Sequence, residues 1–411
     1  FLHGLALLLH AGSAVLLLGV LRRSGTGGGD GDMRVRAQAG ALVFAVHPMA
    51  GEVLGWASAL PDAMAVHLGL WSIWFARSER VRWSSQVQVF VCVALGGLCK
   101  ETAILILPVA VFAGLIRPVH LTGWGLAVGG LVSGRLLAGV STLPPGAMEF
   151  GLLPSALAWP ISSMFWPWPS TAVRDLHAIP WWTFPVALGA CVLLFMGARP
   201  HRLGRAGVLL ILLGPLVALG PTLSGHLAAE RYAYPSLVGL AMWVCACCPA
   251  TRVLRGALVL MVMVSMGHHV VRAPSWRSDG ELFDQATRVL PGSSYAWHFL
   301  GVVQLHHGQE SSAAESFGRA ILGGHPHVLD REFRLEALVK AGRPVEALRW
   351  ADSGGQENLT AGYLAWWAMA AQEAGSAERA RELLLPLRRD QTWDGPDFVP
   401  GLAHDLGLAS Q

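Results

Sequence analysis

His47 and Glu52 stand where an apolar run ends, in Phe44-Ala45-Val46-His47-Pro48-Met49-Ala50-Gly51-Glu52. Asp62 opens the next apolar run, Lys100 and Glu101 interrupt a third, and Glu230, Arg231, Tyr232 and Tyr234 precede a fourth. Ionisable groups at membrane depth are expensive and default to functional candidates. An imidazole or carboxylate beside an acceptor can take a proton as general base. Single cations from separate loops (Lys100, Arg174, Arg231) suit one phosphate held from several sides. The alternative use of each residue is structural: snorkelling to an interface, or a Glu–Arg staple between helices. His3, His10, His67 and the pair His268-His269 read as hydrogen-bonded helix residues. The glycine-rich stretch 25–31 has no following Lys-Ser/Thr and reads as a flexible loop rather than a phosphate loop. All six cysteines lie in apolar segments, so neither a disulfide framework nor a zinc spacing is implied.

The elements that must position these residues follow from composition. The 411 residues are 53% hydrophobic and only 14% charged, against about 25% charged in soluble domains. That balance argues against a disulfide scaffold, a disordered tail or a nucleic-acid binder. Residues 1–272 carry 18 Lys and Arg against 9 Asp and Glu; residues 273–411 carry 12 against 18. The chain is therefore expected to be all-α in two parts: a transmembrane helix bundle over 1–272 and a soluble helical domain over 273–411. Ten spans are expected, at 2–21, 35–50, 62–77, 86–100, 102–117, 121–140, 181–198, 206–221, 233–249 and 253–272. Lys100-Glu101 is read as a tight turn between two antiparallel helices. Alternate loops hold 13 arginines, from Arg22 to Arg255, whereas the opposite loops hold Lys100, Arg174 and Arg231. By the positive-inside rule this puts Phe1 and residues 273–411 on the outer side. The segment 150–180, with Trp159, Trp166, Trp168, Trp181 and Trp182 among prolines, reads as an outer interfacial helix and loop. The chain opens inside an apolar run without Met, which suggests that its start is missing. Lys occurs only at 100 and 340, an Arg bias that fits a GC-rich bacterial genome.

The soluble part carries a period. Gly308, Gly342 and Gly375 are spaced by 34 and 33 residues, as are Ala313, Ala347 and Ala380. Trp297, Leu300, Gly301, Gly308, Ala313, Phe317 and Ala320 fill the consensus positions of a tetratricopeptide repeat. The next two repeats are degenerate, with Arg334 where an apolar residue is expected. Such repeats stack into a curved scaffold that binds partners, or here cap the membrane bundle.

The chain resembles the tetratricopeptide-bearing protein O-mannosyltransferases and their bacterial relatives, polytopic glycosyltransferases of the GT-C class. The likeness rests on Leu2-His3 to Leu9-His10-Ala11, on His47-Pro48 with Glu52 and Trp56, on Leu98-Cys99-Lys100-Glu101-Thr102, and on Glu230-Arg231-Tyr232-Ala233-Tyr234-Pro235-Ser236. It implies transfer of a sugar from a polyprenyl-phosphate donor to a protein or glycan acceptor on the outer side. The usual catalytic carboxylate of that class lies in a first outer loop, which would precede Phe1. Leu60 stands where the family tends to have Arg. On this resemblance Glu52, His47 and Asp62 are the catalytic candidates. Lys100, Glu101, Glu230, Arg231 and Tyr234 are the substrate-binding ones, with Lys100 and Arg231 on the lipid phosphate. No cofactor is called for, and a divalent metal stays open. The implied location is a multi-pass protein of a bacterial inner membrane, with the repeats periplasmic and free for a protein partner. A catalytically inactive membrane-anchored scaffold for envelope proteins and a transporter of lipid-linked sugars remain as other readings; the hydropathy shows no inverted repeat of the kind a transporter carries.

Overall fold

Among the residues it describes, the computed structural model is all-α apart from one short strand pair. It describes residues 2–24, 30–77, 82–138, 150–165, 174–217, 219, 227–324, 326–354, 360–387, 396–397 and 399–406. The chain divides into two compact units, Phe1–Trp276 and Arg277–Gln411.

In the first unit the helices are α1 (Leu2–Arg22), α2 (Asp30–Val46), α3 (Ala50–Gly55), α4 (Leu60–Ala76), α5 (Trp83–Cys99) and α6 (Ala103–Phe112). Then follow α7 (Leu121–Leu137), α8 (Leu153–Phe165), α9 (Thr183–Ala198), α10 (Arg202–Val217), α11 (Tyr234–Cys247) and α12 (Arg252–Arg272). Each of the ten apolar segments forms a helix, but several are shorter than the segment. Among the described residues, two stretches, Leu2–Arg22 and Arg252–Trp276, are long and apolar enough to cross a membrane by length and composition. The shortening has local causes. Pro48 disfavours helical backbone at His47, and α2 ends at Val46. Helix α6 covers only about 15 Å at 1.5 Å per residue, because the chain turns left-handed at Gly114 (φ 76°). There the Gly114 and Leu115 N–H groups close on the Val111 and Ala110 carbonyls at 2.9 and 3.0 Å, a glycine-terminated helix end.

Lys100 and Glu101 do sit in the turn between α5 and α6, but those two helices are not chiefly each other's neighbours. Helix α5 packs on α4 and α7, whereas α6 packs on α4 and α10. Helices α10 and α11 form the tightest pair of the unit. Gly207 and Gly239 face one another there, and a Cβ on either would meet the other's carbonyl oxygen. The Ser236 hydroxyl donates to the Ile211 carbonyl of α10 at 3.1 Å. Outside the core, large apolar side chains stay uncovered, among them Leu8, Leu98, Leu126, Leu193, Leu260 and Val270.

Within 150–180, Trp159 is buried in α8, whereas Trp181 and Trp182 are exposed; Trp166 and Trp168 lie outside the described residues. A two-residue strand β1 (Arg174–Asp175) pairs antiparallel with β2 (Leu227–Ala228), Arg174 opposite Ala228 and Asp175 opposite Leu227. This pairing ties the segment after α8 to the one before α11.

The second unit contains α13 (Asp279–Val289), α14 (Ser294–His306), α15 (Glu310–Leu322), α16 (Asp330–Lys340), α17 (Pro344–Ser353), α18 (Ala361–Glu373), α19 (Ala377–Leu384) and α20 (Val399–Asp405). Three helix pairs share one turn. Gly308, Gly342 and Gly375 have φ of 68°, 70° and 84°, a conformation that costs glycine least. One residue later Gln309, Arg343 and Ser376 donate to Gln304, Leu338 and Ala371 at 2.9, 2.9 and 2.8 Å. Ala313, Ala347 and Ala380 follow, all at 0% exposure. In the first pair Leu300, Gly301, Ala313, Phe317 and Ala320 are buried together, and a Cβ on Gly301 would lie 2.8 Å from the Phe317 ring. Trp297 is half-buried; its indole N–H donates to the Pro291 carbonyl at 2.8 Å and Arg319 stacks on its ring. Arg334 keeps a semi-buried place by stacking on Trp350 at 4.7 Å, a contact that lets its apolar stem do what a hydrophobic residue would.

Candidate functional site

Every charged candidate from the sequence falls at one end of the first unit. The pieces are α3, the start of α4, the turn after α5, and the segment Glu230–Ala233, which winds as a single 3-10 turn before α11. Pro61 and Pro235 sit at the first positions of α4 and α11, where a missing N–H costs nothing. Asp62 and Tyr234 are thereby fixed in first turns.

Glu52 is wholly buried and takes Arg231 twice. Its Oε1 accepts from the Arg231 guanidinium at 2.7 Å and its Oε2 from the Arg231 backbone N–H at 3.1 Å. Burial pushes the Glu52 carboxyl up to about 7, against the pull of Arg231 and with the repulsion of Glu230. Glu230 binds Arg272 at 2.7 Å, with side-chain exposures of 1% and 3%; burial raises its carboxyl too, opposed by Arg272 and Arg174. These are Glu–Arg staples joining α3 and α12 to the turn before α11. Arg231 also lies over Trp56 at 4.5 Å and Tyr232 at 5.2 Å.

Lys100 is the less committed cation. Its ammonium lies 4.0 Å from Asp62 Oδ1, beyond hydrogen-bond length, and 5.6 Å from the centre of the Tyr232 ring. Asp62 is 2% exposed, and its Oδ1 has no hydrogen-bond partner among the described residues. Lys100 and Arg231 thus converge on the same aromatic ring from different segments. Glu101 does not join them: it pairs with Arg135, in the last turn of α7, at 2.6 Å, at the mouth of a cleft of about 470 Å³ between α5 and α7.

The remaining candidates are held by backbone. His47 Nε2 donates to the Met164 carbonyl at 2.9 Å, and its Nδ1 accepts the Met49 N–H at 3.3 Å, so both ring nitrogens are used. Tyr234 is fully buried. Its hydroxyl donates to His10 Nδ1 at 2.7 Å, while His10 Nε2 donates to the Ala45 carbonyl at 3.0 Å. Of the three residues assigned to catalysis, Asp62 alone keeps an oxygen without a hydrogen bond.

Sequence reasoning passed over Arg135, which falls inside a predicted span, and Arg272, which falls at the exit of the last one; their position in a last helical turn was the available signal. It also did not single out Trp56 or Tyr232 as platforms for Arg231. Beside the site, an apolar cleft of about 460 Å³ runs between α8 and α9, lined by Trp159, Phe165, Trp182 and Val186, with Arg174 at its wall. Arg174 stacks on Trp159 at 3.8 Å. Among the described residues no group of three or more His, Cys, Asp or Glu could hold a metal ion. No family model matches the chain, and neither a curated protein nor a solved structure does.

Proposed function

We propose that the chain is a multi-pass membrane glycosyltransferase, with its second unit a tetratricopeptide-like repeat domain. It moves a sugar from a polyprenyl-phosphate donor to an acceptor hydroxyl on the extracytoplasmic side. The observation that carries this reading is the meeting of Lys100 and Arg231 at Tyr232, beside the Asp62 oxygen that has no hydrogen bond among the described residues. The uncovered apolar side chains of the first unit suit lipid contact, and the cleft between α8 and α9 suits a prenyl chain. The acceptor oxygen attacks the anomeric carbon, the bond from that carbon to the phosphate oxygen breaks, and the phosphate leaves with the electron pair. Lys100 and Arg231 stabilise the charge that develops there. Asp62 takes the acceptor proton. Glu52 holds Arg231 in place, and the Glu230–Arg272 staple fixes the turn that carries it.

The test is binding of farnesyl phosphate, a short prenyl phosphate, to the full chain in maltoside micelles. Lys100→Ala, and Arg231→Met combined with Glu52→Gln to leave no buried charge unpaired, should each weaken binding at least tenfold. Unchanged affinity in both overturns the phosphate site. A reporter that folds only in the cytoplasm, fused after Ala273, should be inactive; activity there overturns the topology. A membrane-anchored scaffold is the second reading, favoured by one observation: Arg231 is already satisfied by Glu52. It requires that the wild-type chain bind no prenyl phosphate.

A further inference from the structure

Arg272 is 2% exposed, yet it is only partly satisfied. Nη1 donates to Glu230 at 2.7 Å. Nε and Nη2 are buried with no hydrogen-bond partner among the described residues. A guanidinium offers five N–H donors, and a buried donor left unmade costs its full desolvation. Such a group in a native fold calls for a missing partner.

The surroundings supply room for one. Arg272 lines a cavity of about 370 Å³ together with His3, Leu54, His269 and Trp276, a size within the range of small-ligand sites. Two glycines one helical turn apart on α3 shape its wall. A Cβ at Gly51 would lie 3.2 Å from the His269 ring, and one at Gly55 would run into the Trp276 indole. Trp276, half-buried, lies 5.2 Å from the Arg272 guanidinium. No carboxylate lines the cavity.

We propose that this cavity is a second anion site, separate from the Lys100–Arg231 pair, in which Arg272 takes a phosphate group through Nε and Nη2 once the Trp276 indole swings aside. Parallel N–H donors from one guanidinium match two oxygens of a phosphate. Glu230 keeps Nη1 and so holds the fork in one orientation. The inference does not depend on the reaction proposed above. The phosphate belongs either to a soluble molecule or to a lipid headgroup, which share this chemistry.

The experiment uses the full chain carrying Lys100→Ala, so that the first cation pair contributes little, in maltoside micelles that contain no phosphate. Inorganic phosphate is titrated while the unfolding midpoint is followed, since a ligand of the folded state raises it. Chloride at equal ionic strength controls for screening. A saturable rise with phosphate is expected, with at least tenfold weaker apparent affinity in Glu230→Gln/Arg272→Gln. His3→Glu, at an exposed position on the cavity rim, puts a carboxylate there without disturbing the core and should weaken binding by the same order, which keeps the test valid if the double variant does not fold. A rise seen only on adding phosphatidylglycerol, and lost in the same variants, assigns the phosphate to a headgroup. No rise with either phosphate source, or an equal rise in the variants that fold, overturns the proposal.

Discussion

The two ends of the first unit treat charge in opposite ways. At the end that holds Glu52, four carboxylates meet four cations drawn from distant segments, and three of those carboxylates are buried: Glu52 with Arg231, Glu230 with Arg272 and Asp62 near Lys100; only Glu101 with Arg135 is exposed. At the other end the arginines are many and the acids few. Arg22, Arg23, Arg34, Arg82, Arg117, Arg199, Arg202, Arg252 and Arg255 are exposed, and no ion pair involves them among the described residues. What order they have comes from neutral partners: Arg77 donates to the Val20 carbonyl at 2.7 Å, and Arg23 lies over Trp74 at 5.1 Å. A solvated arginine records only where the chain is, because its energy hardly depends on its neighbours. A buried carboxylate records which segments meet, because it must find a partner. The first end therefore fixes which segments meet, and the second does not.

That contrast can be broken by mutation. The largest effect is expected from Arg231→Met, which strands Glu52 uncompensated at zero exposure; about 3–5 kcal/mol of stability should be lost, with most of it restored by adding Glu52→Gln, as read by denaturant unfolding in micelles. A full loss in the double variant would show that Arg231 packs rather than pairs. Next comes the pH profile. The folded Glu52 carboxyl sits near 7 against an ordinary 4.5, so the folded state holds its proton more tightly than the unfolded one. The stability it gives is complete below about 4.5 and is lost as pH rises through 7. Glu52→Gln should flatten the stability profile across that window; an unchanged slope there would assign it to other groups. Arg77→Ala, losing two carbonyl contacts at the opposite end, should cost about 1 kcal/mol. Arg22→Ala and Arg23→Ala together should change stability by no more than about 0.5 kcal/mol. A larger loss from that pair than from Arg231→Met would invert the comparison.

The all-helical class was legible from the apolar runs, and the turn at Lys100-Glu101 from the charges that interrupt one of them. The alternation of arginine-rich loops pointed to the same division of ends, since Arg77 closes on Val20 at one end while Lys100 nears Asp62 at the other. The partners were not legible. Glu52 and Arg231 are 179 positions apart, and nothing local to either announces the other. Of the two uses left open for each candidate, facing a substrate or stapling helices, the structure puts Glu52, Glu101 and Glu230 against arginines. Helix lengths were overread wherever a single residue ended a helix inside an apolar run, as Gly114 does for α6. In the second unit the glycine and alanine spacing carried more, because each of the three helix pairs sets its turn with its own local glycine and needs no distant partner.

The contact between Gly207 and Gly239 has a mechanical meaning for Arg231. Helices α10 and α11 touch there backbone to backbone, without side chains between them to act as springs. The segment that carries Glu230 and Arg231 leads directly into α11, so it is mounted on a joint with little compliance. A methyl group at Gly207 or Gly239 would act as a shim, prying apart the two rods at some distance from any charge. The displacement would appear at the free end, as a guanidinium moved off its carboxylate. Two residues with no chemistry of their own thus set the tolerance to which the cation is aimed.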